Sequence, residues 1–233
     1  LEPFAKDLPP GTIEGYALPE GTDQPLDRAA LKRAMKLLEE AGWTIRDGKL
    51  VNADGLPFRF EILLNLSGSA ITTAAEMRQM SEIYAHALRN LGITPVITLL
   101  DSAQYTQRTN GYAFDMTWFD RALSLSPGNE QLLYWGSKGV TEPGTRNLMG
   151  MNSPAAEAMI GAMLNSATRA DFVAAVHALD RVLTAGRYVI PVGFAPVGHL
   201  AHDKALKFPA KTPIYGDYPG FLPETWWRED DAP

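Results

Sequence analysis

The stretch "FDMTWFDRALSLSPGNE", residues 114–130, sets Asp120, Arg121, Ser124 and Ser126 between an apolar run and the opening of a helix. A carboxylate takes up cations and N–H donors, a guanidinium pairs with carboxylates, and serine hydroxyls do either. Trp118 before them and Asn129 after them add an aromatic face and an amide. Held in a turn, such groups suit recognition of a polar solute. The plainer alternative stays open: Ser126 caps the next helix while Asp120 and Arg121 pair in solvent. A second polar loop, "SKGVTEPGTRN", carries Arg146 and Asn147, and Arg146 suits either a carboxylate or open surface. These eight residues are the candidate ligand-binding positions.

Residues for catalysis are harder to assemble. The histidines are His86, His177, His199 and His202, the first two in different helices and the last pair three apart beside an extended run, where they face opposite ways. No serine sits in a G-x-S-x-G elbow, and no glycine pattern matches a phosphate-cradling loop or dinucleotide fingerprint. Neighbouring acids such as Glu39-Glu40 read as solvated surface. No catalytic residue, metal site or cofactor is assigned.

Composition narrows the classes. The 233 residues are 45% hydrophobic and 21% charged, ordinary for a globular chain. A net charge of −6, with basic residues scattered singly, argues against nucleic acid as partner. There is no cysteine, which excludes disulfides and thiolate metal sites. No apolar run reaches the ~20 residues of a membrane helix. The proline-rich opening, from Leu1 through "LEPFAKDLPPGTIEGYALPEGTDQP", reads as chain entered in mid-protein.

The elements that must position the polar join follow from periodicity. Residues 27–41 predict a helix stopping at Gly42. "KLV", the turn "NADGLP" and "FRFEILLN" predict a hairpin. Residues 70–91 predict a long helix with Met77, Met80, Ile83, Tyr84, Ala87 and Leu91 along one face. "ITPVITLL" predicts a buried strand, Asp101 with Gln104 a capping box on a short helix, and "YAFDMTWF" the next strand. After the join come a helix in "GNEQLLYWG", one capped by Ser153-Pro154 with Ala156, Met159, Ile160 and Met163 inward, and one capped by Thr168 and Asp171. "YVIPVGFAP" predicts a last strand, and Trp226 and Trp227 an exposed apolar liability. The fold class is α/β, a mixed sheet flanked by about six helices, with parallel neighbours from the βαβ order.

Three segments, "AALKRAMKLLEEAGWTIRDGKLVNADGLPFRFEILL", "IYAHALRNLGITPVITLLDSAQYTQRTNGYAFDM" and "RNLMGMNSPAAEAMIGAMLNSATRADFVAAVHALDRVLTAGRYVIPVGF", in this order resemble the periplasmic solute-binding proteins of family 5. That family delivers peptides, nickel and related solutes to ABC importers. "LSPGNEQ", "HALDRVL" and the ending "KALKFPAKTPIY…ETWW" are most similar to the oligopeptide branch that also handles microcin C. The resemblance runs over about residues 25 to 228 and implies a type II, two-lobed periplasmic binding protein, of which this chain is a C-terminal portion. Residues 1–25 are then an irregular lead-in, 26–203 the C-terminal lobe, and 204–233 a tail returning to an N-terminal lobe outside this chain. It also implies a non-enzymatic role: binding an oligopeptide or peptide-like solute, as a monomer in the full-length protein, and presenting it to the ABC permease, without cofactor or metal. Several peptide-binding members receive the peptide amino group on an Asp soon after a Trp; here that place falls near Ser124, and the nearest acid is Asp120. The alternatives are an α/β hydrolase-type enzyme with a dispersed acid–base site, or a peptide-holding, chaperone-like module.

Overall fold

A computed structural model describes residues 1–22, 27–69, 72–121, 126–193, 200–213, 221 and 224–229. The chain divides into two compact units, Leu1–Val189 and Ile190–Pro233.

In the first unit α1 (Arg28–Glu40) starts where the Asp27 carboxylate accepts the Ala30 N–H at 2.8 Å. Its stripe of Leu31, Ala34, Met35 and Leu38 packs on Leu50, Leu91 and Ile93, beside a stacked Trp43–Phe58 pair 4.5 Å apart. Next, β1 (Thr44–Arg46) and β2 (Lys49–Val51) form a two-stranded hairpin through Asp47 and Gly48, both at positive φ. The predicted hairpin between "KLV" and "FRFEILLN" is therefore corrected. "KLV" pairs with the preceding strand, because Asp-Gly supplies the tight turn, and meets the following one only through a Val51–Pro57 bridge and the Phe58 N–H on Leu50 O.

The main sheet is parallel. β3 (Arg59–Asn65) lies between β4 (Thr94–Leu100) and β5 (Met116–Thr117), in the order β4-β3-β5. The helix α2 (Ala74–Arg89) makes the crossover from β3 to β4, and α3 (Ser102–Asn110) the one from β4 to β5. The central strand buries Ile62, Leu63 and Leu64 in succession, as a strand covered on both faces must. A reciprocal Thr73–Glu76 capping box sets the start of α2, and Asp101 caps α3 on the Ala103 and Gln104 N–H groups. The α2 face also needs correcting: Met77, Ser81 and Ala85 are buried, whereas Ile83 is 64% exposed and Ala87 is exposed. Small side chains at 81 and 85 let the helix backbone approach its neighbours, so volume there matters more than hydropathy.

β5 is much shorter than the eight-residue run "YAFDMTWF". Tyr112 turns through φ 53°, and the Asp115 carboxylate, in place of a main-chain carbonyl, accepts the Glu61 N–H at 2.8 Å. Arg108 ties the same corner, its two terminal nitrogens on the Glu61 carboxylate at 3.2 and 2.5 Å and its Nε on Ala113 O at 2.8 Å.

Beyond the join, α4 (Glu130–Trp135), α5 (Pro154–Leu164) and α6 (Arg169–Gly186) share a core of Tyr134, Trp135, Met151, Ala156, Ile160, Met163, Leu179 and Val182. Ser153 and Thr168 cap α5 and α6 as expected. Residues 188–193 of the predicted "YVIPVGFAP" strand are not a strand, and the rest of that run lies outside the described residues. Pro191 brings no N–H to a ladder, and Val189, Ile190 and Val192 are more than half exposed.

In the second unit β6 (Leu206–Lys207) pairs antiparallel with β7 (Trp227–Arg228). Trp226, expected to be exposed, stacks on Phe208 at 4.6 Å with the His202 ring edge-on, while Trp227 remains 51% exposed.

Candidate functional site

Three strands running the same way deliver their ends to one side of the sheet, the place where open α/β sheets hold ligands. Here that edge consists of residues 66–69 and 72–73 after β3, Asp101 after β4, and residues 118–121 after β5. The side chains at this edge hold one another. Asn65 Oδ1 accepts the Ser67 N–H at 2.9 Å and the Ser102 hydroxyl at 3.1 Å, and Ser102 Oγ lies 2.9 Å from Ser67 Oγ. Thr117 gives its hydroxyl to Leu63 O at 3.0 Å and meets Tyr105 OH at 2.8 Å; that phenol also reaches Trp118 O at 3.1 Å. Burial pushes the Tyr105 phenol pKa up, with the Asp120 charge adding to it against the Thr117 hydrogen bond.

Asp120 joins two strand ends. Its Oδ1 accepts the Trp118 indole N–H at 2.8 Å and, more weakly, the Thr72 hydroxyl at 3.4 Å, while Oδ2 takes the Ser69 hydroxyl. The loop is closed on itself as well, by Thr72 N–H to Ser69 Oγ at 2.9 Å and Ser69 N–H to Thr72 O at 2.8 Å. Trp118 and Asp120 are thus neighbours in one small network.

Arg121 turns to other partners. Its guanidinium lies 3.7 Å over the Tyr134 ring and donates to Gln131 Oε1 at 3.2 Å. Burial lowers its pKa, with Tyr134 and the Glu130 charge acting the other way, and an arginine so placed stays cationic. Its Nε–H is out of solvent with no hydrogen-bond partner among the described residues. Arg146, exposed, comes to the same ring: Cζ is 5.8 Å from the centroid and one terminal nitrogen 3.2 Å from the tyrosine hydroxyl. The structure therefore gathers Arg121 and Arg146, 25 residues apart in sequence, around Tyr134.

The other candidates part company. Asn147 is 0% exposed, and its amide is committed to Gly136 O at 2.9 Å, Met151 O at 2.8 Å and Met151 N at 2.9 Å, which makes it an interior staple. Asn129 is the N-cap of α4 without a side-chain capping bond, and Ser126 is exposed. Ser124 lies outside the described residues. The helix expected in "GNEQLLYWG", capped by Ser126 in the plainer reading, instead begins at Glu130, whose own carboxylate folds back onto the Gly128 N–H at 2.9 Å.

Sequence reasoning missed Asn65, Ser67, Ser69, Thr72, Ser102, Tyr105, Thr117 and Tyr134. A signal existed in "NLSGS": small polar residues straight after a buried strand, on the edge that a parallel sheet shares with the join. Two shallow hollows lie elsewhere. One of about 310 Å³ sits by Tyr112, Phe114 and Asp115 before β5, and one of about 330 Å³ by Leu1, Ile13 and Arg181.

Residues 3–142 match the family model of bacterial extracellular solute-binding proteins, family 5 Middle. Among curated proteins, the chain is 37% identical over 230 residues to the uncharacterized protein y4wM of Sinorhizobium fredii, covering 97% of this chain and 33% of that protein. It is 35% identical over 229 residues to the probable peptide-binding protein YejA of Agrobacterium fabrum, covering 97% and 36%. The chain spans about a third of the length of these relatives. Among solved structures it superposes on the oligopeptide-binding protein AppA of Bacillus subtilis with a TM-score of 0.64 at 17% identity, over 93% of this chain and 41% of that one. A periplasmic oligopeptide-binding protein of Thermotoga maritima, in complex with mannohexaose, gives 0.58 at 20% identity, over 76% and 31%. At these identities the structural likeness speaks for the fold.

Proposed function

Because the chain belongs to the family 5 bacterial extracellular solute-binding proteins, we propose that it supplies one jaw of a solute clamp, with the solute held against the carboxyl edge of the β4-β3-β5 sheet. Residues 26–203 form the C-terminal lobe, and 204–233 return to the other lobe. The solute is an oligopeptide or a peptide-like molecule. The loaded, closed protein is offered in the periplasm to the permease of an ABC importer. No chemical step is involved, in keeping with a family that binds solutes and does not transform them. The peptide class draws its support from the name of the A. fabrum relative.

One observation carries the reading: three strand ends converge on an open polar edge whose hydroxyls, amide and ions already hold one another. An extended peptide laid there meets fixed donors and acceptors, and its main chain is what such groups recognise. Side chains then project into hydrated space, which gives tolerance of sequence. No described helix is long and apolar enough to cross a membrane.

The test is calorimetric titration of the natural protein with di- to octapeptides of alanine. Saturable binding with a preferred length, and recovery of the peptide intact, is the expected result. Hydrolysis of the peptide, or no heat with any length, overturns the reading.

A further inference from the structure

We propose that the outward face of α1 is a docking surface for the anionic headgroups of a phospholipid bilayer. The proposal goes beyond the solute clamp and does not depend on which solute is held. Leu31, Ala34, Met35 and Leu38 turn to the core, and the rest of the helix surface carries Arg28, Lys32, Arg33 and Lys36, all exposed. At 3.6 residues per turn these four cations spread through an arc of roughly 140° over about the first two and a half turns. Leu37, one turn on from Arg33, is 64% exposed at the flank of that arc.

Local physics disfavours this arrangement unless something outside the chain answers it. Arg28, Lys32 and Lys36 succeed one another at i, i+4 spacing, where like charges repel from turn to turn. A helix favours acids in its first turn and bases in its last. α1 has neither: Arg28 stands at its start, and Glu39 and Glu40 at its end. The ion pair that relieves the row, Lys36–Glu40 at 3.6 Å, has the basic residue first, which is the weaker order. Arg28, Lys32 and Arg33 belong to no ion pair among the described residues. The hairpin that follows repeats the pattern, with Arg46 directly opposite Lys49, both exposed and neither in a described ion pair. Residues 28–49 thus hold six cations and three acids, a net +3 in a chain of −6. Local rules broken together on one surface mark a surface under another demand. Mobile phosphates gather to cations spread around an arc, whereas a folded acidic partner needs a groove shaped to that arc. Glu39 and Glu40 end the patch, so α1 meets the headgroups by its N-terminal turns. A hold of this kind keeps the clamp close to the membrane in which a permease sits.

Sedimentation of the natural protein with vesicles decides. Vesicles of phosphatidylglycerol and phosphatidylcholine in equal parts should carry the protein down at about 0.1 M salt. They should release it at about 1 M, where the screening length shrinks from ~10 to ~3 Å. Vesicles of phosphatidylcholine alone should leave it in solution. Arg28→Gln, Lys32→Gln and Arg33→Gln in one protein should lower partitioning about a hundredfold, at roughly fivefold for each cation. Its melting temperature should equal that of wild type or exceed it, since like charges have been parted. The same charge removed elsewhere, by Arg78→Gln, Lys138→Gln and Arg169→Gln at exposed positions, should change partitioning by less than about threefold. No partitioning onto the anionic vesicles, or equal partitioning onto phosphatidylcholine, overturns the proposal. So does an equal loss in the two triple variants, which would assign the effect to net charge. A lower melting temperature in the α1 variant also overturns it, because the cations would then belong to the fold. None of these outcomes touches the solute clamp, which peptide calorimetry judges separately.

Discussion

Asp120→Ala is the perturbation that best separates a tethered binding edge from a loose one. The carboxylate receives the Trp118 indole at 2.8 Å, the Ser69 hydroxyl, and the Thr72 hydroxyl at 3.4 Å. A hydrogen bond to a charged acceptor is worth about 1.5–3 kcal/mol when dry, and a half-buried site reduces that to ~1 kcal/mol for each of the two good bonds. Alanine should therefore destabilise the natural protein by about 2 kcal/mol. At roughly 2–4 °C per kcal/mol for a lobe of this size, the melting of this lobe falls by about 4–8 °C. Asp120→Asn should recover about half, because its carbonyl still accepts from the indole and its amide can donate to a rotated Ser69 hydroxyl. The assay is a thermal melt of the three proteins, paired with the NMR exchange rate of the Trp118 indole proton. Faster indole exchange in Asp120→Ala, with the Asn variant intermediate, is the expected pattern. A melt within about 1 °C of wild type and an unchanged indole would refute the tether.

Other substitutions test the frame behind the edge. Asn147→Leu keeps volume but strands Gly136 O, Met151 O and Met151 N inside, so urea denaturation should show a loss of about 3–5 kcal/mol. Gly92→Ala should cost about 2–3 kcal/mol in the same assay, since a Cβ there, at φ 76°, would sit 2.7 Å from Ile45 Cδ1 and 2.8 Å from Leu50 N. The Arg108 hydrogen bond, then that of Thr98, hold the Glu61 carboxyl below its ordinary value of 4.5. Folding thus weakens its hold on the proton: the stabilisation is present above that value and lost as pH falls through the lower folded one, and Glu61→Gln should remove this part of the acid sensitivity in melts below pH 4.5.

Local rules carried the sequence reading far. Asp101, Ser153 and Thr168 were each legible as helix caps, because capping is a contact between near neighbours. The parallel order was legible too, since alternating helices and strands admit few topologies. What failed depended on tertiary contact. The α2 face was ranked by side-chain size, while the fold rewards the small Ser81 and Ala85. The strand before the join was read at eight residues, while Asp115 and Arg108 replace most of its ladder with side-chain bonds. Asp47-Gly48 was a local signal passed over in favour of a longer turn. For the site, position 118–121 was legible as an edge, but the union of Arg121 with Arg146 was not. It depends on Tyr134, a residue that helical periodicity files under core.

The way the edge is satisfied bears on what it selects. Asp120 spends its acceptors on Trp118, Ser69 and Thr72, so a solute ammonium there must compete with donors already in place. Tyr105, Thr117 and Leu63 O form a closed chain, as do Asn65, Ser67 and Ser102. Groups engaged in this way are preorganised, and a solute meeting them loses less freedom at the protein's expense than one that must order a loop. They also have little left to offer: second lone pairs and rotatable protons, which suit a main chain better than any particular side chain. The arginines on Tyr134 are the exception, because neither belongs to an ion pair among the described residues. The hydroxyl-lined stretch should accordingly set how long a chain can lie against the sheet.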